Sequence, residues 1–396
     1  MKKTLAALAV LTAFAGSAMA ADVTLYGKVD LGLRYTHADG DKAHTDASDK
    51  FEMAAGNYSG SRFGLKGTED LGNGLKVGFV LENGFNADNG SLKTDGKIFD
   101  REAIIRVMGN FGELGFGRTS VLASAANTYG IGGNFTALGT GWGDVGSQSL
   151  VWGAGFASRM DNMITYVTPD FAGVKVYAQY SFGANTYTDK EGDKLTHEEG
   201  KSSTDRYYGI GATFDMGALN LTALVDSTNR ATAHVAGKEK DFKDAVRVVV
   251  GGSYDFGVVK PYLAAAYFKD GGIEDAGGMV DDSDYADDRT GHYYDGYGIV
   301  LGASAPVLGG TFKGSIGYLD ADSDRDSNGS FSSQAPRLEK IEVTRWFAGV
   351  GYEYSLSKRT TVYADLGYAQ DKWEQKGQED AKPSMFQAAF GLCHSF

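Results

Sequence analysis

From Val23 onward the chain is written in repeated segments in which apolar and polar side chains alternate. Successive side chains on a strand point to opposite faces, so a period of two marks a strand with two unlike faces. In the first segment Val23, Leu25, Val29, Leu31 and Leu33 share one face, and Thr24, Lys28, Asp30 and Arg34 share the other. A later segment sets Leu219, Leu221, Ala223 and Val225 against Asn220, Thr222 and Asp226, with Leu224 breaking the pattern. Another places Val246, Val248 and Val250 opposite Arg247, Gly251 and Ser253. The pattern predicts sixteen strands, over 23–35, 61–70, 75–86, 99–109, 112–119, 159–168, 174–183, 205–215, 218–226, 245–255, 258–268, 292–305, 310–320, 342–356, 360–371 and 384–396.

The connections alternate between short and long. Short ones, such as Leu71-Gly72-Asn73-Gly74, Asn110-Phe111, Met216-Gly217 and Phe256-Gly257, carry the Gly and Asn that tight turns use. Long ones, at 36–60, 184–204, 227–244, 269–291 and 321–341, are charged and rich in Ser, Gly and Asp. Short turns at one rim and long loops at the other are the arrangement of a bacterial transmembrane β-barrel, with one face toward lipid and one toward water. An even strand count places both ends of the barrel on the turn rim. A soluble β-sandwich of several domains, the competing reading, would show linkers and no such alternation.

The first residues add a location. Met1-Lys2-Lys3, the apolar stretch Leu5 to Gly16 and the small residues Ala18-Met19-Ala20 have the form of a secretory signal, with cleavage expected after Ala20. That leaves residues 21–396 as one barrel domain. No later apolar run is long enough for a membrane-spanning helix, which needs roughly 20 residues. The 22 Tyr and 22 Phe suit aromatic girdles at two membrane interfaces, and a single Cys, Cys393, forbids an internal disulfide. The formal net charge of -13 argues against nucleic acid, whose phosphates demand a basic face.

Five stretches then resemble the general trimeric porins of Gram-negative outer membranes, particularly their betaproteobacterial branch. They are Val23-Thr24-Leu25-Tyr26-Gly27, the hairpin Ser61 to Gly72, Asn110 to Arg118, Leu356-Ser357-Lys358-Arg359-Thr360 and the closing Phe390-Gly391-Leu392 with His394-Ser395-Phe396. The resemblance covers the mature chain in order. It implies an outer-membrane homotrimer that passes small hydrophilic solutes, embedded in lipid and lipopolysaccharide. It also implies Phe396 as the signal read by the barrel-assembly machinery. The family usually has basic residues where Cys393 and Ser395 stand, which puts part of the rim charge in doubt.

The resemblance also implies a third connection, here 119–158, folded inward to narrow the pore. Its Gly-, Ala- and Ser-rich composition and near absence of charge fit that role better than an external loop. A short helix is expected over Ser120 to Tyr129 and irregular chain over Gly130 to Gly146. By motif position Arg62, Arg101 and Arg159 match the arginine wall that faces this loop. Lys28, Arg34, Lys66 and Lys76 share the lumen-facing parity and would extend a basic track. Asp144 is the sole acid between Arg118 and Asp161, while Glu82, Glu113 and Asp161 sit on strands or a turn. A constriction with a basic bias, modestly favouring anions, is therefore expected.

Other chemistry is weaker. From Asp324 the loop Asp324-Arg325-Asp326-Ser327-Asn328-Gly329 matches the opening of a calcium loop, but position 12 is Ala335 where a bidentate Glu is needed. The cluster Asp281, Asp282, Asp284, Asp287 and Asp288 would meet divalent ions at the lipopolysaccharide surface. His37, His44, His197, His234, His292 and His394 have no metal-ligand spacing within an element, so no catalytic site, metal or cofactor is expected. A substrate-specific channel is the nearer rival, with Tyr26, Tyr177, Tyr207 and Trp142 as candidate lumen aromatics.

Overall fold

The computed structural model describes residues 23–41, 47–138, 142, 151, 158–183, 199, 204–230, 233–235, 238–240, 243–272, 293–323, 340–377 and 379–396. They form one antiparallel sheet that closes on itself. Its strands are β1 (Thr24–Asp39), β2 (Ser48–Ala55 continued by Arg62–Gly72), β3 (Leu75–Gly84), β4 (Glu102–Gly109), β5 (Gly112–Ser120) and β6 (Arg159–Val167). β7 (Val174–Ser181), β8 (Arg206–Met216), β9 (Leu219–Asn229), β10 (Ala245–Tyr254) and β11 (Lys260–Gly271) follow. β12 (Tyr294–Val307), β13 (Gly310–Ser323), β14 (Ile341–Ser355), β15 (Thr360–Gln375) and β16 (Ser384–Ser395) complete the wall. The barrel is sixteen-stranded, as the alternation predicts, because the two pieces of β2 pair in succession with the same strand, β1.

Closure is made by β1 against β16, in register from Lys28↔Ser395 to Asp39↔Ser384. Gly27 and Phe396 extend it with a reciprocal backbone pair, each N–H donating to the other's carbonyl at 3.1 Å. The Phe396 ring lies over Gly27, where a Cβ would sit 2.2 Å from the ring, so only glycine admits this contact. The turns are as short as expected. Asn73 and Gly74 both take positive φ, 53° and 79°, the two-residue turn whose twist matches the flanking strands.

The two faces separate as the pattern requires. Outward positions carry Leu25, Ile105, Ile210, Leu263, Leu301, Ile316 and Leu366, all exposed. Toward the loop rim Tyr267, Tyr297, Tyr318 and Trp346 stand outward on adjacent strands, and toward the turn rim Phe312 and Tyr354 on β13 and β14 and Phe171 and Phe256 in two turns are exposed. Inward positions carry Asp226, Arg247, Arg345 and Asp371, joined as two buried bidentate pairs with N–O distances of 2.6–3.0 Å.

Three expectations need correction. Residues 36–60 are not all loop: β1 runs on to Asp39 and pairs with Ser48–Ala55. The departure is a bulge at 56–61, which interrupts β2 and which strand periodicity does not reveal. No helix forms over Ser120 to Tyr129. Turns occupy that stretch, and Gly132–Asn134 is a single 3₁₀ turn; the chain folds back so that the Ile131 and Gly132 N–H groups bond the Leu122 and Ser124 carbonyls, which a helix would use internally. Finally, β9, β11, β13 and β15 reach three or four residues further toward the loop rim than predicted, as polar sequence there still pairs.

Described residues of the third connection lie against inward positions of the wall. Leu122, Ile131, Phe135 and Val151 share one buried apolar cluster with Leu224, Val249, Phe268 and Leu319. Leu224, the exception to alternation in β9, thus faces inward and supports this connection. Glycines form much of the floor. A Cβ on Gly251 would meet the Phe135 ring at 2.7 Å, and one on Gly298 would meet the Val151 carbonyl at 1.8 Å.

The two faces differ in what they tolerate. Val250 is 49% exposed and lies between the aromatic rows, whereas Leu221, 44% exposed, lies beside the Gly217 turn. Val250→Arg should cost about 2–4 kcal/mol and Leu221→Arg about 1 or less, since the penalty for a cation on the lipid face falls with distance from the midplane. Denaturant titration of the refolded barrel in lipid measures both, and equal costs would contradict this placement.

Candidate functional site

Four arginines gather at the wall made by β2 to β6. Arg62 opens the second part of β2, in register with Lys28 of β1 and Gly84 of β3. Arg101 immediately precedes β4 rather than lying within it, and Arg159 is the first residue of β6. The positive field of Arg101 acts on both Arg62 and Arg159, so the three residues named from sequence do come together. Gly84 makes the approach possible, since a Cβ there would lie 3.2 Å from the Arg101 side chain.

The fourth, Arg118, was not among the expected members. A register shift between Gly117 and Thr119 re-aims its side chain. Gly117 holds φ at 127°, with the Ala103 carbonyl 2.1 Å from where a Cβ would be. Arg118 then reaches Asp161 at 2.6 Å and donates to the Asp100 carbonyl at 2.6 Å. Two-residue periodicity cannot anticipate a side chain placed by a bulge.

Carboxylates are set among these cations more closely than the sequence suggests. Glu82 of β3 pairs with Arg101 at 2.6 Å and also accepts from the Tyr26 hydroxyl at 3.0 Å and Asn127 at 3.3 Å. Asp161 takes both Arg118 and Lys97, the latter at 2.9 Å. Glu102, in register with Glu82, is held by Thr119 and Thr128 hydroxyls and the Thr128 N–H. Arg62 donates to the Ser59 hydroxyl at 2.9 Å, and Arg159 to Asn127 at 2.7 Å. Neither makes an ion pair among the described residues. Asp144 lies outside the described residues.

The basic track is uneven. Lys28 approaches Ser59 at 3.5 Å, and Lys66 lies over the Tyr26 ring at 5.0 Å. Lys76 is exposed beside the 73–74 turn. Arg34 differs from the expectation: it is paired with Glu52 at 2.8 Å, because the sequence read as a loop is a strand facing β1. The base of the third connection is fixed by Arg106 and Tyr129, both on Glu113 at 2.7 Å. Burial and the Glu113 charge push the Tyr129 phenol well above its ordinary pKa, so it stays a donor.

The aromatic residues named for a dedicated solute site are otherwise employed. Tyr207 is fully buried with its hydroxyl on Asp226 at 3.1 Å, and Trp142 is buried against the wall. Tyr177 packs on the apolar cluster under the third connection, and Tyr26 is committed to Glu82. His37 is exposed near the loop rim on Asp49 at 2.9 Å, and His394 faces outward on Thr360 at 2.9 Å. His234 lies in a short hairpin, Ala233–Val235 with Lys238–Lys240. His44, His197, His292, the Asp324 loop, the Asp281 to Asp288 cluster and the leader 1–20 lie outside the described residues. Among the described residues no group of three or more His, Cys, Asp or Glu is placed to hold a metal ion.

Comparison with known proteins agrees with this architecture. The family model described as Gram-negative porin matches residues 7–373. An outer membrane porin protein of Bordetella pertussis is 35% identical over 420 residues, spanning 100% of both chains. Outer membrane porin protein 32 of Delftia acidovorans is 32% identical, over 94% of this chain and 90% of that one. Among solved structures, the anion-selective porin from Comamonas acidovorans superimposes with a TM-score of 0.63 at 26% identity, covering 95% of this chain and 100% of that one. A closed barrel with an apolar outside, a polar inside and relatives of this kind places the chain in the Gram-negative porin family, whose members are outer-membrane diffusion channels.

Proposed function

We propose that the lumen is narrowed between the third connection and the wall of Arg62, Arg101 and Arg159, and that the passage modestly prefers anions. The observation that carries this reading is the uneven pairing of the cluster. Glu82 is committed to Arg101, and Asp161 to Arg118 and Lys97, while Arg62 and Arg159 hold only neutral partners among the described residues. Two guanidiniums without a direct carboxylate contact among the described residues remain for a passing anion. Arginines about 8 Å apart repel by roughly 0.5 kcal/mol in bulk water and about 2 kcal/mol at an effective dielectric of 20. A hydrated passage tolerates that cost. The Comamonas acidovorans porin, a structural relative, is itself anion-selective.

Solutes pass by diffusion, without a dedicated binding site and without catalysis. The acidic overall charge does not oppose this, because a filter responds to the charges at its narrowest point. Cleavage near Ala20, assembly as a homotrimer, contact with lipopolysaccharide and recognition of Phe396 by the barrel-assembly machinery complete the proposal. A trimer form has been seen for a Vibrio cholerae outer-membrane protein that shares the fold.

In planar bilayers under a salt gradient the reversal potential should report modest anion preference; clear cation preference would sink the reading. Arg62→Ala should reduce that preference with little loss of stability. Glu82→Gln should increase it about twofold, since one charge at ~8 Å in water is worth roughly 0.5 kcal/mol. Opposite signs for these two variants are the decisive outcome, and a shift in the same direction would reject the assignment.

A further inference from the structure

The bulge at 56–61 lies next to Trp142 of the third connection. Its backbone is seated on Asp30, a wholly buried carboxylate of β1. Asp30 Oδ2 accepts from the Tyr58 and Ser59 N–H groups at 2.8 and 2.7 Å, and Oδ1 accepts from the Tyr363 hydroxyl at 2.7 Å. Hydrogen bonds to an ionised acceptor are the strong kind. Ser61 closes the bulge by accepting from the Asp30 N–H at 3.0 Å.

On this seat stands an aromatic trio drawn from three separate parts of the chain. Tyr58 stacks on Tyr363 of β15 at 5.2 Å and meets Trp142 edge-on at 5.1 Å. Trp142 meets Tyr363 edge-on at 6.2 Å. The Trp142 N–H donates to the Asn57 carbonyl at 2.6 Å, tying the third connection to the bulge through the backbone. Lys313 sits 5.3 Å over the Trp142 ring, and Gly351 provides its recess, where a Cβ would lie 2.4 Å from the indole. Stacked and edge-on rings at these separations are the favourable arrangements for aromatic pairs.

We propose that Tyr58, Trp142 and Tyr363 form a clasp that fixes the width of the channel, and so sets the size limit for solutes, independently of the arginines that set charge preference. The proposal rests on the reading that the third connection narrows the lumen. Without the clasp, that connection is held by Tyr129 on Glu113 and by Leu122, Ile131, Phe135 and Val151 on the wall, and no other described hydrogen bond ties it to the bulge. With it, the rim of the passage is closed by contact between two inward segments. The three side chains act through the connection they hold, so they are positioning residues. Their loss should change which sizes pass and leave ion preference where it was.

The test is a liposome-swelling series with neutral sugars of increasing size, run beside reversal potentials on the same full-length preparations. Trp142→Ala should raise the rate for large sugars relative to small ones several-fold, with the reversal potential unchanged. Gly351→Val, which displaces the indole without substituting any of the three aromatic residues, should do the same. Trp142→Phe should restore sieving. Tyr363→Phe removes one oxygen and should raise open-channel current noise even if Trp142→Ala does not fold. An unchanged size ratio in both Trp142→Ala and Gly351→Val overturns the clasp, as does a reversal-potential shift as large as that of Arg62→Ala. A wild-type channel that shows no sieving at all refutes the narrowed lumen itself, a different failure from that of the clasp.

Discussion

A backbone amide or carbonyl in hydrocarbon has no water to bond, and each unsatisfied group there costs several kcal/mol. The pairing of β1 with β16 answers this constraint, and the rest of the molecule depends on it. Twelve registered positions from Lys28↔Ser395 to Asp39↔Ser384, with the Gly27–Phe396 exchange below them, leave no edge facing lipid. Closure creates an inside and an outside, and strand geometry then forces every second side chain into one or the other. The apolar belt, the aromatic rows and the charged lumen are all consequences of a sheet without ends.

The inside is not uniformly wet. Between β8 and β14 the wall presents Leu224, Val249, Phe268 and Leu319, with Gly251, Gly298 and Gly351 as recesses, and the described parts of the third connection lie on that surface. Between β1 and β6 the wall presents charge and hydroxyl groups. One barrel therefore carries two inner surfaces of opposite character. The described residues of the third connection meet both surfaces, by apolar contact on the first and through Asn127, Thr128 and Tyr129 on carboxylates of the second. Buried bidentate pairs such as Arg247–Asp226 border the first surface. Their cost of desolvation is offset by short, two-pronged geometry, and loss of either partner would leave an unpaired buried charge.

Much of this was legible before any coordinates. Alternation located all sixteen strands, and Gly and Asn marked the turns, because both signals are local. Arg62, Arg101 and Arg159 were named by motif position, and the field of Arg101 reaches the other two. The bulge at 56–61 was hidden, since its sequence alternates no worse than a loop and its support, Asp30, lies on another strand. Arg118 was missed because the shift at Gly117 breaks the period that assigns faces. Glu82 was visible on a strand, but its pairing with Arg101 depends on how the chain between β3 and β4 returns. The irregularity at Leu224 looked like noise in the pattern. It is the inner floor showing through.

The closure of β1 on β16 also has a consequence in time. The residues that meet there, Gly27 and Phe396, stand at opposite ends of the strand order, so the contact that completes the sheet joins the most distant strands in sequence. Hairpins between neighbouring strands can form early, because their loops are short and closing them loses little entropy. Each partial sheet, however, has two open edges and an apolar face. Such a topology makes folding slow and leaves intermediates prone to self-association. The same seam that ends the barrel's exposure is the last that can form, so the chain must be kept from others of its kind until both edge strands are present together.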